Sequence, residues 1–436
     1  MVKKARYLAL ILVVALVAAA CGDDGTEDTT TTTQAATTTQ APTTTQAPTT
    51  TAAPADASLE IGVVLPQTGD LAVLGAPMFE AVRMAARDVN AGGGVFGKDI
   101  TLNEADSGTN EDVASSAVDR LLNDGVDGIV GAASSRITLS VIDKITGSGT
   151  VECSPSNTGS SLTTYPDNGF YFRTAPPDNL QGPALADVIL GDGYADVAII
   201  ALNDEYGQGF AGFLEEALVA GGATIVADVA YDPNGTNFDA DVQQIADASP
   251  EAIALISFPD TGGQIIASMI EQGVGPADVP LYVTDGMQSG TLYEKIDPND
   301  PTVTEGVKGT APAAAPASGA AFYGPAFAEY APGVDTIFSA HAYDCVVVIS
   351  LAAEAAGSDD PAVYVDYMND VTKGGEKCDT FAACKALLDA GSDIDYDGAA
   401  GALDFSDAGE PAAGTYDVYE FGADGSYIVL EQVDVG

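Results

Sequence analysis

The sequences Val-Gly-Ala-Ala-Ser-Ser at residues 130–135 and Cys-Ser-Pro-Ser-Asn-Thr at residues 153–158 decide the fold. A short apolar run, typical of a buried parallel strand, leads into each sequence. Each then reaches small hydroxyl residues, which favour the start of a helix and leave backbone N–H groups free for an anion. Taken singly, such serines are more often only helix caps. Because open α/β sheets bind ligands at the carboxyl ends of their strands, the pair predicts a pocket for a small carboxylate.

The composition indicates a globular chain with a strongly acidic surface. The 436 residues are 46% hydrophobic, so the chain can bury a large core, and the length is typical of two or three domains. Fifteen Lys and Arg residues stand against 64 Asp and Glu residues, for a formal net charge of −49. Such a charge repels nucleic acid and anionic lipid surfaces, so we expect no nucleic-acid partner.

The first 57 residues have the features of an export and anchoring segment. Three basic residues precede an apolar run that is shorter than the roughly 20 residues of a membrane span. The sequence Val-Ala-Ala-Ala-Cys at 17–21 resembles a bacterial lipoprotein signal, which predicts a signal peptide over 1–20 and acylation of Cys21. An ordinary secretory signal with a chance cysteine is the alternative. Residues 21–57 repeat Thr-Thr-Thr-Gln-Ala and should form an extended, disordered tether to an extracytoplasmic body.

Strand and helix patterns alternate from residue 58 onward, with the first helix expected over Pro77–Asn90. This alternation predicts an α/β fold with parallel sheets covered by helices on both faces. Breaks at Pro176-Pro177 and at an Ala, Pro and Gly run over 311–319 divide the pattern. Two similar α/β lobes joined by several crossings are therefore expected, and the tail is expected to begin with a strand over Leu403–Phe405.

Short motifs spread over residues 59–433 resemble the periplasmic branched-chain amino acid (Leu/Ile/Val) binding proteins, which are substrate-binding lipoproteins of ABC importers. The motifs include Pro-Gln-Thr-Gly at 66–69, Gly-Ala-Ala-Ser-Ser at 131–135, Ser-Pro-Ser-Asn-Thr at 154–158, Phe-Arg at 172–173, Asp-Asn at 178–179 with Gln-Gly at 181–182, Asp-Glu-Tyr-Gly at 204–207 and Ala-Tyr-Asp at 342–344. The resemblance implies a type I periplasmic binding protein, with two similar lobes, each a parallel sheet flanked by helices, joined by three crossings. Lobe 1 would hold residues 59–174 and 312–403, and lobe 2 would hold residues 175–311 and 404–436.

The resemblance also implies a ligand site whose residues come from both lobes. The residues are Leu74, Ser135, Ser156, Thr158, Tyr206, Phe258 and Asp285. The hydroxyl residues would hold a ligand carboxylate, and Asp285 would accept a charge-assisted bond from an α-ammonium. On local sequence alone, Asp285 is also compatible with a turn before a glycine, and Phe258 with plain core. Arg136 could meet an acidic ligand side chain, although a solvated surface arginine is the commoner case.

The function implied is an extracytoplasmic solute-binding protein that delivers an amino acid or related solute to ABC permease subunits with their ATPases. The alternative is a ligand-sensing receptor of the same fold, for which an amide or urea-like ligand is possible. A third class, an exported enzyme, lacks support because His341 is the single histidine and no nucleophile motif stands out. We expect no cofactor. The segment Asp393–Asp404 matches part of a calcium loop, but it lacks the usual bidentate Glu.

Four cysteines remain besides Cys21. An exported chain permits disulfides, and Cys378 and Cys384, six residues apart, are the expected pair. Cys153 and Cys345 form either a second bridge or two buried thiols.

The leader predicts that Cys21 anchors the protein to the cell membrane. Cys21→Ser removes the sulfur that would be acylated, so the folded body should appear in the medium, as measured by immunoblot of cell and medium fractions. A variant that stays with the membrane would place the anchor elsewhere.

Overall fold

The computed structural model describes residues 58–313 and 321–436. The signal peptide, Cys21 and the tether, as well as most of the Ala, Pro and Gly run, lie outside the described residues. Within the part that is described, no helix has the length and apolar character needed to cross a membrane.

Strands and helices alternate through the described chain as the sequence pattern predicts. The strands are β1 Glu60–Leu65, β2 Thr101–Asp106, β3 Gly128–Gly131, β4 Val151–Ser154, β5 Tyr171–Arg173, β6 Asp196–Leu202, β7 Thr224–Tyr231, β8 Ala252–Ile256, β9 Leu281–Val283, β10 Lys308–Pro312, β11 Glu376–Cys378, β12 Ile394–Tyr396, β13 Gly414–Phe421 and β14 Tyr427–Val435. The helices are α1 Ala72–Ala91, α2 Glu111–Asp124, α3 Ser135–Gly147, α4 Asp178–Gly191, α5 Glu205–Ala220, α6 Asp239–Ala248, α7 Pro259–Glu271, α8 Tyr293–Ile296, α9 Tyr323–Tyr330, α10 Ser339–Ala356, α11 Pro361–Tyr364 and α12 Phe381–Asp389.

Two separate sheets form the cores of two lobes. The first sheet is parallel throughout, in the order β2-β1-β3-β4-β5. The second has seven strands in the order β14-β13-β10-β9-β8-β6-β7. It is parallel from β7 to β10 and ends in the antiparallel pairs β10–β13 and β13–β14. The strands of the first sheet at β3 and β4 are wholly buried, as expected for a sheet covered on both faces.

The chain passes between the lobes three times. It leaves the first lobe after β5, and it returns after β10, because α10 packs on α1, β3 and β4 of the first lobe. The third crossing lies between β12 and β13. The result is the two-lobe α/β architecture with three crossings that the sequence predicts.

Two elements differ from the sequence-based expectation. Helix α1 begins at Ala72, five residues before Pro77, because Leu74 and Gly75 of its first turn are buried and this packing outweighs the N–H group that proline lacks. The expected strand Leu403–Phe405 is wrong: Asp404 has φ +38°, which turns the chain, and the Phe405 N–H donates to the Thr372 hydroxyl instead of to a neighbouring strand.

Two disulfides join segments within the first lobe. One links Cys378 to Cys384, the pair expected from the sequence, and the other links Cys153 at β4 to Cys345 on α10.

The segment that partly matches a calcium loop is not arranged as one. It contains strand β12, which pairs with β11. The Lys377 ammonium lies 3.0 Å from an Asp395 oxygen and 2.8 Å from an Asp397 oxygen, so a lysine already contacts two of the acidic side chains.

A buried carboxylate anchors the chain just before the third crossing. Asp344 on α10 accepts hydrogen bonds from the Tyr396 hydroxyl at 2.7 Å and from the N–H groups of Ala399 and Ala400 at 2.8 Å each. Burial raises the pKa of Asp344 to about 7, so the three donors only partly offset the cost of burying its charge. A Cβ atom on Gly398 would lie 2.4 Å from the Asp344 Oδ1 atom, which makes glycine necessary there.

Gly398→Ala should therefore lower the free energy of unfolding by roughly 1–3 kcal/mol through overpacking against Asp344. Chemical denaturation measures the change. Gly212→Ala on α5 is the control, because a Cβ atom there meets nothing within 4 Å and alanine favours a helix. Equal stability of Gly398→Ala and wild type would contradict the anchoring role of Asp344.

Candidate functional site

A cleft between the lobes brings together loops from the ends of strands in both sheets. All seven residues that the sequence predicts for the site line it: Leu74, Ser135, Ser156, Thr158, Tyr206, Phe258 and Asp285. The cleft encloses about 20 Å³, which is room for one or two water molecules. A larger solute therefore needs the cleft to widen.

The first lobe contributes hydrogen-bond donors at the start of α3. The first N–H groups of a helix have no acceptor within the helix, so they favour an anion. The hydroxyl of Ser134, at the cap position, is buried in the cleft wall and has no hydrogen-bonding partner among the described residues. The Ser135 oxygen accepts from the Gly159 N–H at 3.1 Å, so its own proton remains free to be donated.

The loop after β4 lies against this helix start. The Ser156 hydroxyl donates to the Ala133 carbonyl at 3.0 Å, so Ser156 can offer a ligand only an acceptor from its side chain. The Asn157 amide donates to the same carbonyl at 2.8 Å, which fixes the two loops to each other. Thr158 then faces the cleft, and its carbonyl accepts from the Asp178 N–H at 2.9 Å.

Arg173, at the end of β5, supports the same loop from below. Its guanidinium is fully buried and donates to the Gly159 carbonyl at 2.8 Å and to the Thr163 hydroxyl at 2.8 Å. Its Nε donates to Glu410, from the third crossing, at 2.8 Å. Because Glu410 pairs with this positive charge, Arg173 positions the loop and offers no counter-charge to a ligand.

The second lobe contributes the acceptor. Asp285, directly after β9, is buried and accepts hydrogen bonds from the Tyr206 hydroxyl at 3.0 Å and the Gln181 amide at 3.1 Å. Tyr206 also bonds the Thr284 hydroxyl at 2.6 Å, which fixes its ring in place. Burial raises the pKa of Asp285 to about 6, against the lowering effect of its two donors.

A second buried acid, Asp178, lies close enough to Asp285 for their charges to interact. It is the first residue of α4, and neither carboxylate oxygen has a well-formed hydrogen bond to a described residue. Burial and the charge of Asp285 raise the pKa of Asp178 well above its usual value, with the Thr158 hydroxyl and Arg173 opposing. None of the described residues that line the cleft is basic. Asp285, the acid that lines the cleft, therefore favours a cationic group there.

Aromatic and aliphatic side chains complete the cleft. Tyr206 stacks on Phe258 with ring centroids 5.5 Å apart and planes 6° apart. An apolar wall is supplied by Leu71 just before α1, by Leu74 and Met78 within α1, and by Phe338. This wall suits an uncharged, apolar part of a ligand.

Arg136 and His341 have other surroundings. Arg136 pairs with Glu111 at 2.9 Å and lies 3.6 Å from Asp204 of the second lobe, so it is neither a solvated arginine nor a residue of the cleft. His341 is buried, its ring meets Phe338 edge to face, and burial lowers its pKa to about 4, so it is neutral. It lines a separate cavity between the crossings.

Sequence reasoning missed several residues of this site. Asp178 and Gln181 stand in motifs that marked the resemblance, and an acid at a helix start with an amide three residues on was an available signal. The apolar residues Leu71, Met78 and Phe338 gave no signal, because an apolar side chain in a cleft wall has the same sequence pattern as one in the core.

Comparison with known proteins agrees with this geometry. The family model described as periplasmic binding protein matches residues 58–426. A Leu/Ile/Val-binding protein homologue of Brucella melitensis is 25% identical over 390 residues, covering 86% of this chain and 95% of the relative. A chemotactic signal transduction system substrate-binding protein of Halobacterium salinarum is 25% identical over 372 residues, covering 83% and 86%. The crystal structure of the branched-chain amino acid transporter protein LivJ of Streptococcus pneumoniae, in complex with isoleucine, superposes with a TM-score of 0.72 at 20% identity, covering 87% and 100%.

Two lobes, three crossings and a cleft lined from both sides define a solute-binding protein. The chain belongs to the periplasmic binding protein family, and its fold is that of the type I members. Its place of action is extracytoplasmic, as the family implies.

The hydroxyl of Tyr206 should lower the pKa of Asp285. Tyr206→Phe removes this donor, so the Asp285 pKa should rise above about 6, as measured by carbon-13 NMR of the carboxyl group during a pH titration. Tyr231→Phe is the control, because that hydroxyl bonds Ser257 and not Asp285. An unchanged Asp285 titration in Tyr206→Phe would contradict the contact.

Proposed function

We propose that the cleft binds an α-amino acid with an apolar side chain and that the protein delivers it to an ABC importer. The observation that carries this proposal is the buried acid Asp285, which shares a cleft with hydrogen-bond donors at the start of α3, and no described residue that lines this cleft is basic. A carboxylate and an ammonium a few ångströms apart match these two walls.

Each part of such a ligand has a stated partner. The carboxylate meets the free N–H groups of α3 and the hydroxyls of Ser135 and Thr158. The ammonium meets Asp285 through a charge-assisted bond worth roughly 1.5–3 kcal/mol. The side chain lies against the apolar wall of Leu71, Leu74 and Met78. The names of the similar proteins, Leu/Ile/Val-binding and isoleucine-bound, support this assignment.

The ligand's two charged ends are held by opposite lobes, and this arrangement favours closure of the lobes over the ligand. The closed form is the one that permease subunits with their ATPases would recognise. The acylated Cys21 and the tether would hold the protein at the membrane surface, close to that permease.

A sensing role is the second candidate, and one observation favours it. The Halobacterium salinarum relative is a substrate-binding protein of a chemotactic system, so the same fold also reports occupancy to a signalling partner. Uptake of labelled amino acid by cells with and without this protein separates the two roles, because a sensor leaves uptake unchanged.

Asp285→Ala should weaken binding of leucine more than about tenfold, because a charge-assisted bond worth over about 1.4 kcal/mol is lost. The matched ligand is 4-methylpentanoate, which is leucine without its amine and should bind both proteins with similar affinity. Calorimetry with both ligands on both proteins decides the point. Unchanged leucine affinity in Asp285→Ala would show that the acid does not bind an ammonium and would favour an amide or urea-like ligand.

A further inference from the structure

One carboxylate of the first lobe contacts a helix of the second. Asp70 lies in the loop between β1 and α1, and its Oδ1 atom accepts the N–H groups of Asp260 at 2.8 Å and Thr261 at 3.1 Å. Its Oδ2 atom accepts the Thr261 hydroxyl at 2.9 Å. These donors belong to the first turn of the 13-residue helix α7.

Helix α7 does not cap its own start. Its N-cap residue is Phe258, whose side chain has no oxygen to accept a bond from the first turn. The first N–H groups of a helix need an acceptor from outside it, and a negative charge there is favourable. Asp70 therefore supplies across the cleft the cap that most helices supply from their own sequence.

The loop that carries Asp70 is held rigidly by a second carboxylate. Asp106 accepts the N–H groups of Gln67 at 2.8 Å and Thr68 at 3.2 Å, as well as the Thr68 hydroxyl at 2.6 Å. Gly69 follows with φ +86°, and a Cβ atom there would lie 2.1 Å from the Gly108 carbonyl oxygen. Asp70 is thus placed in advance for its contact, and little freedom is lost when the lobes meet.

The surroundings of the contact oppose it only in part, because burial and the charge of Asp260 raise the pKa of Asp70 while its donors from α7 lower it. Asp260 would repel Asp70, but the Lys295 ammonium lies 2.5 Å from the Asp260 carboxylate and offsets its charge. Leu71, the residue after Asp70, and Phe258, the N-cap residue of α7, both line the ligand cleft. A bond between these loops therefore fixes the two walls of the cleft relative to each other.

We propose that Asp70 is a positioning residue for ligand binding, which holds the closed arrangement of the lobes by capping α7 across the cleft. The bond exists only when the lobes are together, so its loss shifts the protein toward the open form. The apparent affinity for a ligand falls by the same factor as the population of the closed form. The effect on affinity rests on the proposed function, whereas the effect on lobe separation does not.

Lobe separation can be measured directly with two spin labels. Val113 on α2 and Val219 on α5 are exposed, lie on different lobes and do not line the cleft, so cysteines introduced there can carry the labels. Double electron–electron resonance then gives the distance distribution in the ligand-free protein. Asp70→Ala should add a population of longer distances, and Asp70→Asn, which keeps an acceptor oxygen, should stay closer to the wild type.

The matched control is Asp300→Ala. Asp300 also accepts a threonine N–H, at 3.0 Å, and the same threonine's hydroxyl, at 2.6 Å, but both groups belong to Thr302 of the second lobe. This variant loses the same kind of bond within one lobe and should leave the label distances unchanged.

Calorimetry supplies the second readout. Asp70→Ala should weaken the binding of leucine, isoleucine and valine by one common factor of about fivefold or more, because Asp70 is not among the residues that line the cleft. Distances and affinities equal to those of the wild type would overturn the proposal. If the wild type binds no amino acid, the proposed function fails, and the distances in ligand-free protein still decide the role of Asp70.

Discussion

The buried guanidinium of Arg173 is the interaction on which the arrangement of the cleft depends. It joins the end of β5, the loop that carries Thr158 and the third crossing through Glu410. Removing one partner of a buried ion pair of this kind lowers the stability of the protein by about 3–5 kcal/mol, because the other charge stays buried and unpaired. It therefore adds little net stability, but it specifies one geometry for the loop. The Arg173 side chain consequently fixes both the loop that carries Thr158 and the third crossing between the lobes.

The opposite wall follows a different physical rule. Asp178 and Asp285 are both buried, and burial raises the pKa of each, with the charge of Asp285 adding to the effect at Asp178. Such a site is costly in the empty protein, and a ligand ammonium relieves that cost. Burial of the two acids thus costs free energy in the empty protein, and the relief of that cost increases the affinity for a positive ligand group. Ligand binding and lobe closure become parts of one equilibrium.

The order of elements could be predicted because βαβ alternation and its two breaks are local patterns. The seven site residues were expected from the resemblance to a known family, and the rule that ligands bind at the carboxyl ends of parallel strands accounts only for the two hydroxyl loops of the first lobe. The start of α1 could not be predicted, since Pro77 indicates a boundary that the burial of Leu74 overrides. The capping of α7 by Asp70 could not be predicted either, because it joins residues 190 positions apart in the sequence. Contacts between residues so far apart in sequence depend on how the two lobes pack together, and local sequence patterns do not predict that packing.

Equilibrium dialysis tests the central claim most directly. The protein is dialysed against an equimolar mixture of the common amino acids and the matching deaminated carboxylic acids. The protein is then unfolded, and the solute that it releases is identified by mass spectrometry. The account predicts enrichment of amino acids with apolar side chains, leucine, isoleucine or valine, and exclusion of their deaminated analogues. Retention of the deaminated acids as strongly as the amino acids would contradict it, because Asp285 would then have no ammonium to bind.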